Sequence, residues 1–81
     1  MQKRLERLYP KMAHDATKHL DFLLEELDDV ETYVDLAADD MTGFPDEYRI
    51  RSLLEDVQKI AGAVREEQKK LKEGVRRWMA S

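Results

Sequence analysis

The sequence predicts an all-α protein: an antiparallel two-helix hairpin, coiled-coil-like, that dimerises into a four-helix bundle. Three observations predict it. Ala13, Ala16, Leu20, Leu23, Leu27, Val30, Val34, Ala37 and Met41 recur at alternating steps of three and four, the spacing of one heptad seam on a long helix. A second series of the same kind follows: Ile50, Leu54, Val57, Ala61, Val64, Gln68, Leu71, Val75 and Trp78. Between them stands Thr42-Gly43-Phe44-Pro45, a helix stop followed by a helix start.

The 81 residues make one domain. Residues 1–9 are expected to form an arm or a short first turn, because Pro10 disfavours α conformation at Tyr9 and lacks a backbone donor. A helix kinked at Pro10 is the alternative. Helix 1 is placed at 10–41, the turn at 42–45 and helix 2 at 45–80. In helix 1, Asp21 and Glu25, Glu25 and Asp29, Glu31 and Asp35, and Asp35 and Asp39 are like charges four apart, each mildly destabilising. Acids near its C-terminus also oppose the helix dipole, so helix 1 needs compensation from elsewhere. In helix 2, Glu47 to Arg51, Glu55 to Lys59, Glu66 to Lys70 and Glu73 to Arg77 are acid-before-base pairs at the favourable spacing. Folding the two about Gly43 pairs positions whose numbers sum to 87 or 88, which brings Leu20 to Gln68 and Tyr9 to Trp78.

A lone hairpin shares a single seam, little burial for a scaffold of this size. No cysteine is present to staple it, so a homodimer is expected to supply the missing contacts. The core and dimer seam is assigned to Leu20, Leu23, Leu27, Val30, Val34, Leu54, Val57, Val64, Leu71 and Trp78. Charge also sets an orientation. Residues 21–48 hold eleven acids and no Lys or Arg, whereas residues 1–20 and 65–81 together hold eleven Lys/Arg against five acids. Hairpins with their turns at opposite ends would lay the basic end of one beside the acidic block of the other. The layout is similar to small helical-hairpin regulators, of the kind plasmids and phages encode, that dimerise into four-helix bundles; no motif carries the likeness, so it implies architecture alone.

The absence of cysteine and of an apolar secretory segment leads to an expected cytoplasmic setting. No apolar run reaches the roughly 20 residues of a membrane span, so no membrane partner is expected. Chemistry has little footing. His14 and His19 are five apart and do not share a face, and there is no Glu-x-x-His pair, Gly-rich phosphate loop or nucleophile with an evident base. No enzyme activity, cofactor, metal or small-molecule substrate is expected.

Two surfaces remain for a partner. Phe22, Glu26, Asp29, Tyr33 and Leu36 form a second stripe on helix 1 outside the seam. Apolar anchors rimmed by acids suit a basic or groove-bearing protein; the competing structural role is to complete the flank of the bundle. A sharper version is mimicry of nucleic acid, with spaced carboxylates standing for phosphates. The second surface is basic: Arg65, Lys69, Lys72, Arg76 and Arg77, joined from the other helix by Lys3, Arg4, Arg7, Lys11 and Lys18. Such clusters can neutralise phosphates, although the interspersed Glu66, Glu67 and Glu73 also account for them as helix-stabilising pairs. The leading expectation is therefore a regulator or inhibitor acting through the acidic-aromatic face. A nucleic-acid-binding hairpin dimer and an adaptor subunit of a larger helical assembly are the alternatives.

Overall fold

A computed structural model of the chain describes residues 2–80, with side chains from Leu8 to Ala80; Met1 and Ser81 lie outside it. Two helices, α1 (Gln2–Asp40) and α2 (Asp46–Ala80), pack antiparallel along their lengths. The molecule measures 61 × 17 × 16 Å. Its long axis is that of α1 itself, since 39 residues rise about 58 Å at 1.5 Å each.

The helix over residues 2–40 corrects the arm expected at residues 1–9: α1 runs unbroken from Gln2 through Pro10. Proline deletes one donor from the ladder, and the hydrogen bonds on either side carry the chain across. The neighbouring Tyr9 is tied down as well, its ring stacked on Trp78 with centroids 4.8 Å apart and planes at 30°.

The turn forms from its punctuation residues. Gly43 takes φ 89°, the left-handed value that closes a helix at low cost only in glycine. The Met41 N–H donates to the Ala37 and Ala38 carbonyls, and the Thr42 hydroxyl donates to the Asp39 carbonyl at 2.7 Å. Pro45 lies just ahead of α2, and the Glu47 carboxylate reaches back to accept the Gly43 N–H at 3.1 Å. That contact resembles half of a capping box.

Cross-helix contacts fix the register. Tyr9 meets Trp78, Gln68 reaches Thr17 and Asp21, and Arg51 reaches Asp35 and Asp39. The paired numbers sum to between 85 and 90, around the expected 87–88. The core is thin. Among the described residues, Ala13, Ala38, Val57 and Ala61 are the buried apolar ones, with Gln68 beside them.

The line of contact on α1 differs from the expected seam by a small rotation. Leu20, Leu27 and Val34 are half-buried as expected, and so are Leu54, Val64 and Leu71 opposite. Between them, however, it is Leu24, Glu31 and Ala38 that turn inward, while Leu23 and Val30 remain 41% and 40% exposed. Trp78 is exposed to the same degree. The apolar stripe of α1 is three positions wide, and a single neighbouring helix covers only two of them.

Candidate functional site

The pseudo-two-fold axis relating antiparallel helices keeps equivalent positions on the same side. Residues directly following seam positions therefore share one flank of the hairpin, and residues directly preceding them share the other.

The following flank is polar. Near the turn, Arg51 bonds Glu47 of its own helix at 2.8 Å and crosses to Asp39 at 3.3 Å, with Asp35 at 3.8 Å. The Arg51 hydrogen bond, and then the Gly43 N–H, hold the Glu47 carboxyl below its ordinary value, while the carboxylates of Glu47 and then Asp39 raise Arg51 further. Further along, a groove of about 300 Å³ is lined by Asp28, Glu31, Thr32, Asp35, Leu54 and Gln58. At mid-length Gln68, 8% exposed, donates through Nε2 to the Thr17 carbonyl at 3.2 Å and to the Asp21 carboxylate. Toward the open end the flank turns basic. Arg65, Lys69, Lys72 and Arg76, with Gln68 and Glu73, line a second groove of about 300 Å³. Beside it, Pro10, Ala13, His14, Thr17 and Val75 meet Lys72 and Arg76 around a cleft of about 270 Å³.

Among the described residues, the compensation that α1 receives comes from α2, through one arginine and one glutamine. Among the described residues, no ion pair reaches Glu25, Glu26, Asp28, Asp29 or Glu31. Within α2, Glu47–Arg51 forms as the spacing predicts, but Lys70 pairs with Glu67 at 3.4 Å, three residues away, rather than with Glu66. Both partners are exposed, so the choice between neighbouring turns involves only a few tenths of a kcal/mol.

The preceding flank is open, and an apolar strip runs along its inner edge beside the seam. It carries Leu23 and Val30 of α1 beside Leu53 and Ile60 of α2, which are 50% and 52% exposed. The heptad pattern assigns Leu23 and Val30 to the seam and leaves Leu53 and Ile60 outside it. The structure places all four together on one uncovered strip.

The acidic-aromatic stripe lies on the back of α1, away from α2. Phe22, Tyr33 and Leu36 are 64%, 71% and 53% exposed, and Glu26 and Asp29 between them are exposed as well. Their numbers step by four, three, four and three, so the five side chains form a straight line of about 21 Å. The basic residues Arg65, Lys69, Lys72, Arg76 and Arg77 are all exposed, and none is ion-paired among the described residues. Arg65, Lys69, Lys72 and Arg76 share the polar flank; Arg77 points off it. Lys3, Arg4 and Arg7 have side chains outside those described.

No protein-family model, curated protein or solved structure matches this chain. Its function is therefore argued from these surfaces alone. No helix among the described residues is long and apolar enough to cross a membrane. No group of three or more His, Asp or Glu among those residues is placed to hold a metal ion.

Proposed function

We propose that this protein is a non-enzymatic regulator or inhibitor: a homodimeric four-helix bundle that binds a protein partner through the acidic-aromatic stripe of α1. The observation that carries the reading is the exposure of Phe22, Tyr33 and Leu36 in line with the unpaired carboxylates of Glu26 and Asp29. Large apolar side chains normally leave water when a helix folds. Here they stand on the face that the hairpin itself does not use, at the spacing with which an amphipathic helix enters a groove. A partner whose groove is apolar at its centre and basic at its rim fits them. The cysteine-free composition suits a cytoplasmic setting.

One observation supports nucleic acid as a second reading. Arg65, Lys69, Lys72 and Arg76 step by four, three and four along a groove, and a line of cations of this kind tracks phosphates.

The two readings separate in one experiment. The tagged wild type and two variants, Phe22→Ala/Tyr33→Ala and Arg76→Glu/Arg77→Glu, are used to capture partners from the source cells. Helicity is checked for each by circular dichroism. A protein retained by wild type and by Arg76→Glu/Arg77→Glu, and lost only with Phe22→Ala/Tyr33→Ala, is the expected result. Capture that survives the aromatic double variant would defeat the reading. RNA or DNA binding that falls steeply with salt and vanishes with Arg76→Glu/Arg77→Glu would establish the second reading.

A further inference from the structure

We infer that the open strip of Leu23, Val30, Leu53 and Ile60 is the face on which a second copy of this chain docks, its turn lying at the opposite end. The inference rests on the dimer reading above and adds to it the docking face, in the orientation that the charge blocks of the sequence predict.

Area supplies the first argument. The chain exposes 6766 Å², whereas a compact monomer of 81 residues exposes roughly 5,100 Å². The excess of about 1,700 Å² is of the size that each partner of an obligate homodimer covers. Position supplies the second. On α1 the strip continues at seven-residue spacing through Ala16, Leu23, Val30 and Ala37. On α2 it is bounded by Asp46 and Glu67, giving an apolar centre with charged ends, as interfaces have. It is also continuous with the hairpin seam, so a second hairpin laid on it closes one bundle core rather than creating a separate patch.

Charge supplies the third argument and selects a copy of this chain as the occupant. Residues 1–20 and 65–81, which meet at the open end, carry eleven Lys/Arg and five acids; residues 21–64, toward the turn, carry three Lys/Arg and thirteen acids. Each hairpin is thus about +6 at one end and −10 at the other. A two-fold axis across the strip, perpendicular to its length, sets each positive end against a negative one. An axis along the strip would stack the two acidic ends. Docking on this strip, in either orientation, leaves Phe22, Asp29 and Leu36 on the back of α1 outside the bundle, with Glu26 and Tyr33 at the edge of the interface.

The full-length chain tests this directly. Light scattering over a dilution series gives the mass of wild type, Ile60→Glu, Val30→Glu and, as a control off the strip, Phe22→Glu, each checked for helicity. Wild type and Phe22→Glu are expected to be dimers. Ile60→Glu and Val30→Glu, each counted twice per dimer, should weaken association by roughly 100-fold or more. Because the chain has no cysteine, a spin label at Thr42→Cys reads orientation. Turns at opposite ends place the labels about 50 Å apart, and turns at one end place them within about 20 Å. A dimer that survives both strip variants overturns the face and leaves the dimer reading standing. Labels within about 20 Å overturn the orientation. A wild-type monomer at every concentration overturns the dimer itself.

Discussion

Gly62 and Gly74 look equivalent in the sequence, two glycines inside one helix, and the structure separates them. A Cβ built at Gly62 meets nothing within 4 Å, whereas one at Gly74 falls 2.6 Å from the Tyr9 hydroxyl oxygen. Gly62→Ala therefore gains the helix-propensity difference alone, about 1 kcal/mol. In a chain of this length that raises Tm by roughly 4–8 °C. Gly74→Ala gains the same amount but displaces Tyr9 from its stack on Trp78, a contact contributing about 0.5–1.5 kcal/mol beyond its buried area. The two effects nearly cancel, so the expected Tm change is less than half that of Gly62→Ala. The assay is a pair of melts at matched chain concentration, with fluorescence read alongside. Trp78 is the single tryptophan, so its emission and near-ultraviolet dichroism report the stack. Both should change in Gly74→Ala and neither in Gly62→Ala. In a Tyr9→Ala background, Gly74→Ala should recover its full stabilisation. Equal Tm gains for the two alanine variants, with Trp78 emission unmoved, would refute the account of Gly74 as the space that Tyr9 occupies.

Three further outcomes follow from the polar flank. Gln68→Leu loses the bonds to Asp21 and the Thr17 carbonyl but places an apolar side chain at a position 8% exposed. Net stability should change by no more than about 1.5 kcal/mol, and a Tm loss beyond roughly 10 °C would show that the polar contact dominates. Arg51→Ala removes the cation that bridges Glu47, Asp39 and Asp35. All these groups are partly in water, so Tm should fall by a few degrees at low salt and by less at high salt; a salt-independent loss contradicts an electrostatic role. Glu47 has a folded-state pKa below its unfolded one. Its contribution is therefore complete above the unfolded value and is lost as pH falls through the lowered folded value. The Gly43 amide resonance should titrate with a midpoint below that of an ordinary glutamate, and should lose that titration in Glu47→Gln.

Much of this architecture was legible because it depends on short-range rules. Gly43 and Pro45 punctuate the chain by their own backbone restrictions, and the alternating three-four spacing fixes helical phase without any tertiary information. Register was legible too, since a tight turn leaves the two helices little freedom to slide. Pro10 was misread because its local cost, about 3 kcal/mol, says nothing of the distant contacts made beside it. The Tyr9–Trp78 stack that holds the neighbouring turn joins residues 69 positions apart, and Gly74, the glycine that admits it, carries no sign of that role in its own sequence context.

The rotation of the seam has a different origin. Leu23 and Leu24 are adjacent, and either could complete the α1 seam beside Leu20 and Leu27; so could Val30 or Glu31 beside Val34. Apolarity alone favours Leu23 and Val30, which is how the sequence reads. What opposes that choice is the charge on the next position along both helices. Turning Leu24 and Glu31 inward brings Asp21, Asp35 and Asp39 over Gln68 and Arg51, which relieves some of the self-repulsion of α1. The signal was present in the sequence, because Asp21, Asp35, Arg51, Arg65, Lys69, Lys72 and Arg76 each directly follow a seam residue. It is a pattern of pairs between two helices, and reading either helix by itself hides it. The rotation also leaves Leu23 and Val30 in water beside Leu53 and Ile60 of α2, the less favourable outcome for an isolated hairpin. That arrangement is economical only if a second apolar layer covers them, which makes the choice of seam an argument for the docking face proposed above.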